Sequence, residues 1–296
     1  MSHTIAFARA FAPDSITWTQ LEPGTLHTGR AIVDLGPLRV SYRSFNLGLK
    51  GEGALLPGKS LVGIIGDSLT RARWSGAEVT SDHVASTTQG LDIRTEGPSS
   101  FYFLTFDADE LQYRNVLEGL VQNPLRAQRL RAHLRVLFST FKTRHGLTRA
   151  RQSQVARLLL ALASTDDAHD TNHHQKPRAL SRRITAVRTC ERYMREHINE
   201  TVTLSHLTEV SGLRARSLIN AFEALTGLSP IAYLKRRRLT GVHRALQKAD
   251  STNTRIIDVA TNWGFWHMGH FTSDYRAMFG ETPSETLRRR DPKHAT

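Results

Sequence analysis

The chain has 296 residues, 39% of them hydrophobic and 23% charged, the balance of a globular protein with room for two cores. One cysteine, Cys190, excludes an intrachain disulfide framework; no apolar run nears the ~20 residues that cross a bilayer, and Met1 to Phe11 lacks a secretory pattern, so a soluble cytoplasmic protein is expected. The net charge of +13 is uneven: residues 1–175 hold 19 Lys+Arg against 16 Asp+Glu, whereas residues 176–296 hold 21 against 11, which points to a polyanion partner for the second part.

In chain order, residues 1–107 read as β-rich. Ala31–Leu35 precedes Gly36-Pro37, Leu38–Phe45 precedes Asn46, and Leu61–Ile65 precedes Gly66-Asp67. Phe101–Phe106 is a further β-favouring run. Short strands between Gly and Pro turns predict a barrel or sandwich-like domain. His27, Asp67, Asp82 and His83 are the early residues of metal-binding type, but no His-x-His spacing joins them. No catalytic residue, cofactor or metal is therefore expected.

From about Glu110 to Ala163 the period becomes helical. Leu130, Leu134, Leu137, Phe138 and Phe141 recur at three- and four-residue steps, and Val155, Leu158, Leu159 and Leu162 mark a second helix over 149–163. These helices either cover the sheet domain or pair two subunits. The first domain is thus placed at 1–165. Ser164 to Ala179 is polar and contains Pro177, so 166–179 reads as a linker; His169, His173 and His174 within it are expected to be solvated.

From 180 to 296 the pattern is all helical and contains a repeat. Leu204 to Leu213 and Ile256 to Phe265 share apolar first and fourth positions, a ninth-position Gly and an apolar tenth. Gly212 and Gly264 stand 52 residues apart, but Leu218/Phe271, Phe222/Tyr275, Gly227/Gly280 and Pro230/Pro283 stand 53 apart. One extra residue therefore enters the second copy between its turn and its second helix. Each copy reads as a short helix, a left-handed turn at Gly and a second helix with one buried stripe. In the first copy Leu218, Phe222 and Leu225 face inward, and Arg216 and Asn220 face out. In the second, Phe271, Tyr275 and Met278 face inward, with Gly269 and Ser273 outward and His270 beside them. Arg and Asn on an outward face suit the base edges of a major groove. Thr203 and Thr254 are expected helix caps, neither with a full capping box. Cys190 is read as a buried small residue and Trp263 as core. Trp266 stays open between core packing and base stacking.

A helix from about Pro230 to Lys248 separates the copies. At ~1.5 Å per residue it spans roughly 28 Å, near one duplex turn of roughly 34 Å. It carries Lys235, Arg236, Arg237 and Arg238, of which one or two are expected to reach phosphate. Arg276 is another phosphate candidate, with an ion pair to Asp274 or Glu281 as the alternative.

These residues resemble the AraC/XylS family of transcription regulators over about Leu180–Arg290. The resemblance is carried by Ala221-Phe222, Thr226-Gly227-Leu228-Ser229-Pro230-Ile231-Ala232-Tyr233-Leu234, Ile257-Asp258-Val259-Ala260, Trp263-Gly264-Phe265, His270-Phe271, Tyr275-Arg276 and Phe279-Gly280-Glu281-Thr282-Pro283-Ser284. It implies an α+β chain: a β-rich effector-binding and dimerising domain, then an all-α DNA-binding domain (180–296) of two helix-turn-helix subdomains sharing the long helix. It places base reading on Arg214, Arg216, Ser217 and Asn220, then on His267, Met268, His270 and Ser273, and phosphate contact on Lys235, Arg236 and Arg276. Trp266 and Gly269 depart from the family's usual residues. The partners implied are double-stranded promoter DNA, RNA polymerase, a small-molecule effector and a second copy in a homodimer, with no membrane. The expected function is an effector-responsive activator; a ligand-modulated repressor stays open, as does a metal-dependent barrel enzyme fused to a DNA-binding domain.

Overall fold

The computed structural model describes residues 17–107, 119–143, 148–163 and 178–289. The chain divides into two units: 27–175 form one, and 18–26 join 176–296 in the other. His169, His173 and His174 lie outside the described residues, as does Glu110.

The first unit is an antiparallel sheet with two helices. After an extended segment Thr17–Gln20 (β1), its strands are β2 (Thr28–Asp34), β3 (Leu38–Phe45), β4 (Leu49–Ala54), β5 (Lys59–Trp74), β6 (Ala77–Val79), β7 (His83–Thr87), β8 (Gly90–Asp107) and β9 (Gly119–Gln122). The path runs β4-β8-β5-β7-β9, with β3 joining β2 to β8 and β6 paired to β5. The two long strands organise it: β8 pairs with β4 through Gly90–Arg94 and with β3 through Ser99–Phe106. Among the described residues the strand order does not close on itself, so a single open sheet stands where a barrel or sandwich-like domain was expected. A second correction concerns 119–122, read as helix but forming β9, which pairs Val121 with Val84.

One face of the sheet is covered by helices α1 (Pro124–Thr143) and α2 (Arg149–Ala163). Asn123 accepts a hydrogen bond from the Arg126 amide and so caps α1, whose first residue is Pro124. Leu130, Leu134 and Phe138 of α1 and Leu159 and Leu160 of α2 share one core with Val40, Ile64, Tyr102 and Leu104. The other face carries Phe101 stacked on Phe103 at 5.8 Å and Trp74 tilted against Phe103 at 6.4 Å. The early metal-type residues have other partners: Asp67 pairs with Arg135, and His83 Nδ1 lies 2.8 Å from the Thr80 hydroxyl. Among the described residues no group of three His, Cys, Asp or Glu could hold a metal, and no helix is long and apolar enough to cross a membrane.

The second unit contains α3 (Arg178–Glu196), α4 (Leu204–Ser211), α5 (Ala215–Thr226), α6 (Pro230–Lys248), α7 (Ile256–Asn262), α8 (Met268–Phe279) and α9 (Pro283–Arg288). It has two apolar cores. The first joins Ile184, Val187, Cys190 and Met194 of α3 to Leu207, Leu218, Phe222, Tyr233 and Leu234. The second joins Leu239, Val242 and Leu246 of α6 to Ala260, Phe271, Tyr275, Met278 and Leu287. The early turns of α6 thus serve one core and its later turns the other, which is how a single helix joins two subdomains. At the second core Gly241 lets the indole of Trp263 lie against the helix; a Cβ there would stand 2.2 Å from the ring. Burial pushes the Cys190 thiol up to about 11, and its sulfur lies 3.4 Å from the Leu207 carbonyl oxygen.

Residues 18–26 pack into this unit despite the 149 residues of chain between. The Gln20 amide donates to Thr240 Oγ1 at 3.2 Å, Arg244 donates to the Trp18 carbonyl at 2.7 Å, and the Gly24 amide donates to the Met278 carbonyl at 2.8 Å. Leu21 is buried in the first core.

Candidate nucleic-acid interface

Each copy of the repeat forms a helix, a turn and a second helix. Thr203 caps α4: its hydroxyl accepts from the His206 amide, and His206 Nδ1 accepts from the Thr203 amide. A full capping box therefore exists, with His in the place usually held by Glu or Gln. Thr254 does not cap α7; Arg255 occupies that position. The turn glycines adopt the left-handed conformation, Gly212 at φ 64° and Gly264 at φ 77°. Leu213 and Phe265, which follow them, pack on their respective cores.

The second helix of each pair, α5 or α8, buries one face and exposes the other. In α5, Leu218, Ala221, Phe222 and Leu225 are buried, while Arg214, Arg216, Ser217 and Asn220 are exposed. In α8, Phe271, Tyr275, Met278 and Phe279 are buried, while His267, His270 and Ser273 are exposed. Met268 differs, since it packs partly on the second core. Neither α5 nor α8 has a side-chain cap, whereas Ser229 caps α6 and Thr282 caps α9. Their first-turn amides are not taken up by a cap side chain, a configuration that suits an oxyanion.

A family profile described as a helix-turn-helix domain matches residues 207–289. A XylDLEGF operon transcriptional activator of Pseudomonas putida is 34% identical over 96 residues, covering 32% of this chain and 30% of the relative. XylDLEGF operon transcriptional activator 2 of the same organism is 36% identical over 95 residues, covering 32% of this chain and 60% of that one. A solved structure described as a probable AraC family transcriptional regulator from Rhodopseudomonas palustris CGA009 is 42% identical, with 36% of this chain and 98% of that one covered and a TM-score of 0.33. The C-terminal domain belongs to the AraC/XylS family. This is a family of DNA-binding transcription regulators, not of enzymes. The match spans about a third of the length of the first of these activators.

In this AraC/XylS domain three of the four consecutive basic residues 235–238 of α6 turn at least partly inward. Lys235, partly exposed, forms an ion pair with Asp274 at 2.6 Å. Arg236 is half-buried against the Met278 sulfur, and burial lowers its pKa. Arg237 is buried. Arg238 donates to the Ile198 carbonyl at 2.8 Å, to the Gly264 carbonyl at 3.4 Å and to the Glu200 carbonyl. It thereby fastens the turn after α3 to the turn of the second helix-turn-helix. The sequence signal for this role was only the run of basic residues, since its carbonyl partners lie 26 to 40 positions away. Arg276 is exposed. The alternative partners considered for it are engaged elsewhere: Asp274 pairs with Lys235 and Glu281 with Arg289.

Proposed function

We propose that the chain is an effector-responsive transcription activator that binds promoter duplex DNA through both helix-turn-helix units. The observation that carries this reading is the duplicated arrangement: two helices on separate apolar cores, each with an exposed polar face beside a left-handed glycine turn. The helix joining them has nineteen residues, which at ~1.5 Å each is about one duplex turn less a few ångströms. Arg214, Arg216, Ser217 and Asn220 read base edges from α5; His267, His270 and Ser273 do so from α8, with Met268 at the rim of the core. Lys235 and Arg276 supply phosphate contacts. Activation is supported by the names of the curated relatives, which are transcriptional activators. The sheet domain senses a small molecule and pairs two copies, and the assembled dimer contacts RNA polymerase in the cytoplasm.

The test is selection of the full chain on random duplexes, followed by binding at two salt concentrations. Wild type should enrich a defined sequence and lose affinity steeply as salt rises. Arg216→Ala should relax preference at one step of the site, worth about 1–3 kcal/mol of discrimination. Loss spread equally over all sequences would move Arg216 to the phosphate contacts; no enrichment by wild type would remove the reading. In a reporter strain, deleting the gene should lower expression from the bound promoter, and a rise would make the protein a repressor.

A further inference from the structure

The residue inserted into the second copy can be identified. Leu213 and Phe265 both follow a turn glycine and both pack on a core. In the first copy the next residue, Arg214, is already the N-cap of α5. In the second, Trp266 stands between Phe265 and the N-cap His267. The insertion is therefore an indole, and it is 62% exposed, whereas Trp263 and Phe265 just before it pack on the second core. Among the described residues it is the only aromatic in the set of exposed large apolar side chains. Neither of the two cores explains its presence.

Its surroundings point to the DNA. Trp266 precedes the first turn of α8, and the amino-terminal residues of a reading helix are those that approach base edges. Gly269, His270 and Ser273 continue along the exposed side. Gly269 replaces what is Arg216 in the first copy, and a Cβ there would meet nothing within 4 Å, so packing does not demand the glycine. The second reading face has thus lost a long hydrogen-bonding side chain and gained a large apolar one. In a major groove the apolar feature available to such a surface is the C5-methyl group of thymine.

We infer that Trp266 is a specificity-determining residue that reads thymine by apolar contact in the half-site of the second helix-turn-helix. The inference rests on the proposed DNA binding. It makes the two half-sites chemically unlike: α5 selects through hydrogen bonds from Arg216 and Asn220, and the second unit selects through a methyl group.

The experiment uses the full chain and the duplex enriched by wild type, with the second half-site defined as the part whose preference survives Arg216→Ala. Replacing a thymine there by deoxyuridine removes only the methyl group. Wild-type affinity should fall about fourfold, the effect of returning one methyl to water. Trp266→Ala should lose the thymine preference and become indifferent to the replacement. Trp266→Leu, still apolar, should keep part of both. An alanine variant that still discriminates thymine from uracil, or that weakens on every sequence alike, would overturn the role of Trp266 and leave DNA binding standing. Failure of wild type to enrich any sequence would remove both.

Discussion

His243 of α6 faces Tyr275 and Phe279 of α8. Its Nδ1 lies 2.7 Å from the Tyr275 hydroxyl, which donates to Thr286 Oγ1 at 2.8 Å, and Thr286 donates in turn to Glu281 at 2.7 Å. Its Nε2 lies 2.8 Å from Gln247 Nε2, and the ring stacks on Phe279 at 4.2 Å. With the Gln247 amide donating, Nε2 is an acceptor and the ring is neutral. Burial lowers the His243 pKa below 6.5, against the attraction of Glu281. The unfolded chain therefore binds more protons than the folded one once pH falls to the ordinary histidine range, so this stabilisation is lost as pH drops through about 6.5. His243→Gln should be less stable than wild type at pH 8, and the gap should narrow by pH 5.5 in denaturant titrations of the full chain. A gap that widens at low pH would mean that the folded state favours the charged ring.

At the scale of elements, α6 carries the most consequence and was also the most legible. Ser229 and Pro230 mark its start, an amphipathic stripe runs along it, and it ends at Lys248 as the pattern requires. α5 was equally readable from Leu218, Phe222 and Leu225, because local period and glycine turn agree. Two things were not readable. The open sheet depends on β8 pairing with three other strands, a long-range choice that alternation cannot encode. The basic run on α6 reads as surface, but burial against Met278 and against backbone carbonyls is decided by elements far along the chain. Arg238 makes this testable. Arg238→Ala should leave the carbonyls of Ile198 and Gly264 without their charged donor, at a cost of about 1–3 kcal/mol. Hydrogen exchange should rise around 197–200 and 264, and DNA affinity should fall equally on all sequences. Arg238→Lys should not rescue it, since one ammonium lacks the fork that reaches several acceptors. Altered base preference in either variant would instead make Arg238 a reading residue.

For the molecule as a whole, chain order and structural unit disagree at one place, and that disagreement has consequences. Residues 18–26 belong with the DNA-binding unit, where they touch both of its parts: Leu21 enters the first core, and Gly24 bonds to Met278 at the end of α8. Thr240 and Arg244 hold the same segment to α6 between them. The first domain read from the sequence, 1–165, includes these residues, because nothing local identifies a remote core. Leu21 is 7% exposed, and deleting a leucine buried in this way costs about 2–5 kcal/mol, depending on how far the site collapses. Leu21→Ala should therefore raise hydrogen exchange in α3 and α5, more than 150 residues distant, while amides in β5 and β8 stay as protected as in wild type. Loosened protection confined to the sheet would place the segment with the first unit. A DNA-binding fragment cut to begin near residue 176 lacks Leu21 and the Gly24 contact, so it should melt below the same fragment supplied with a peptide of residues 18–26. Equal melting would show that these contacts contribute no net stability to the helical unit.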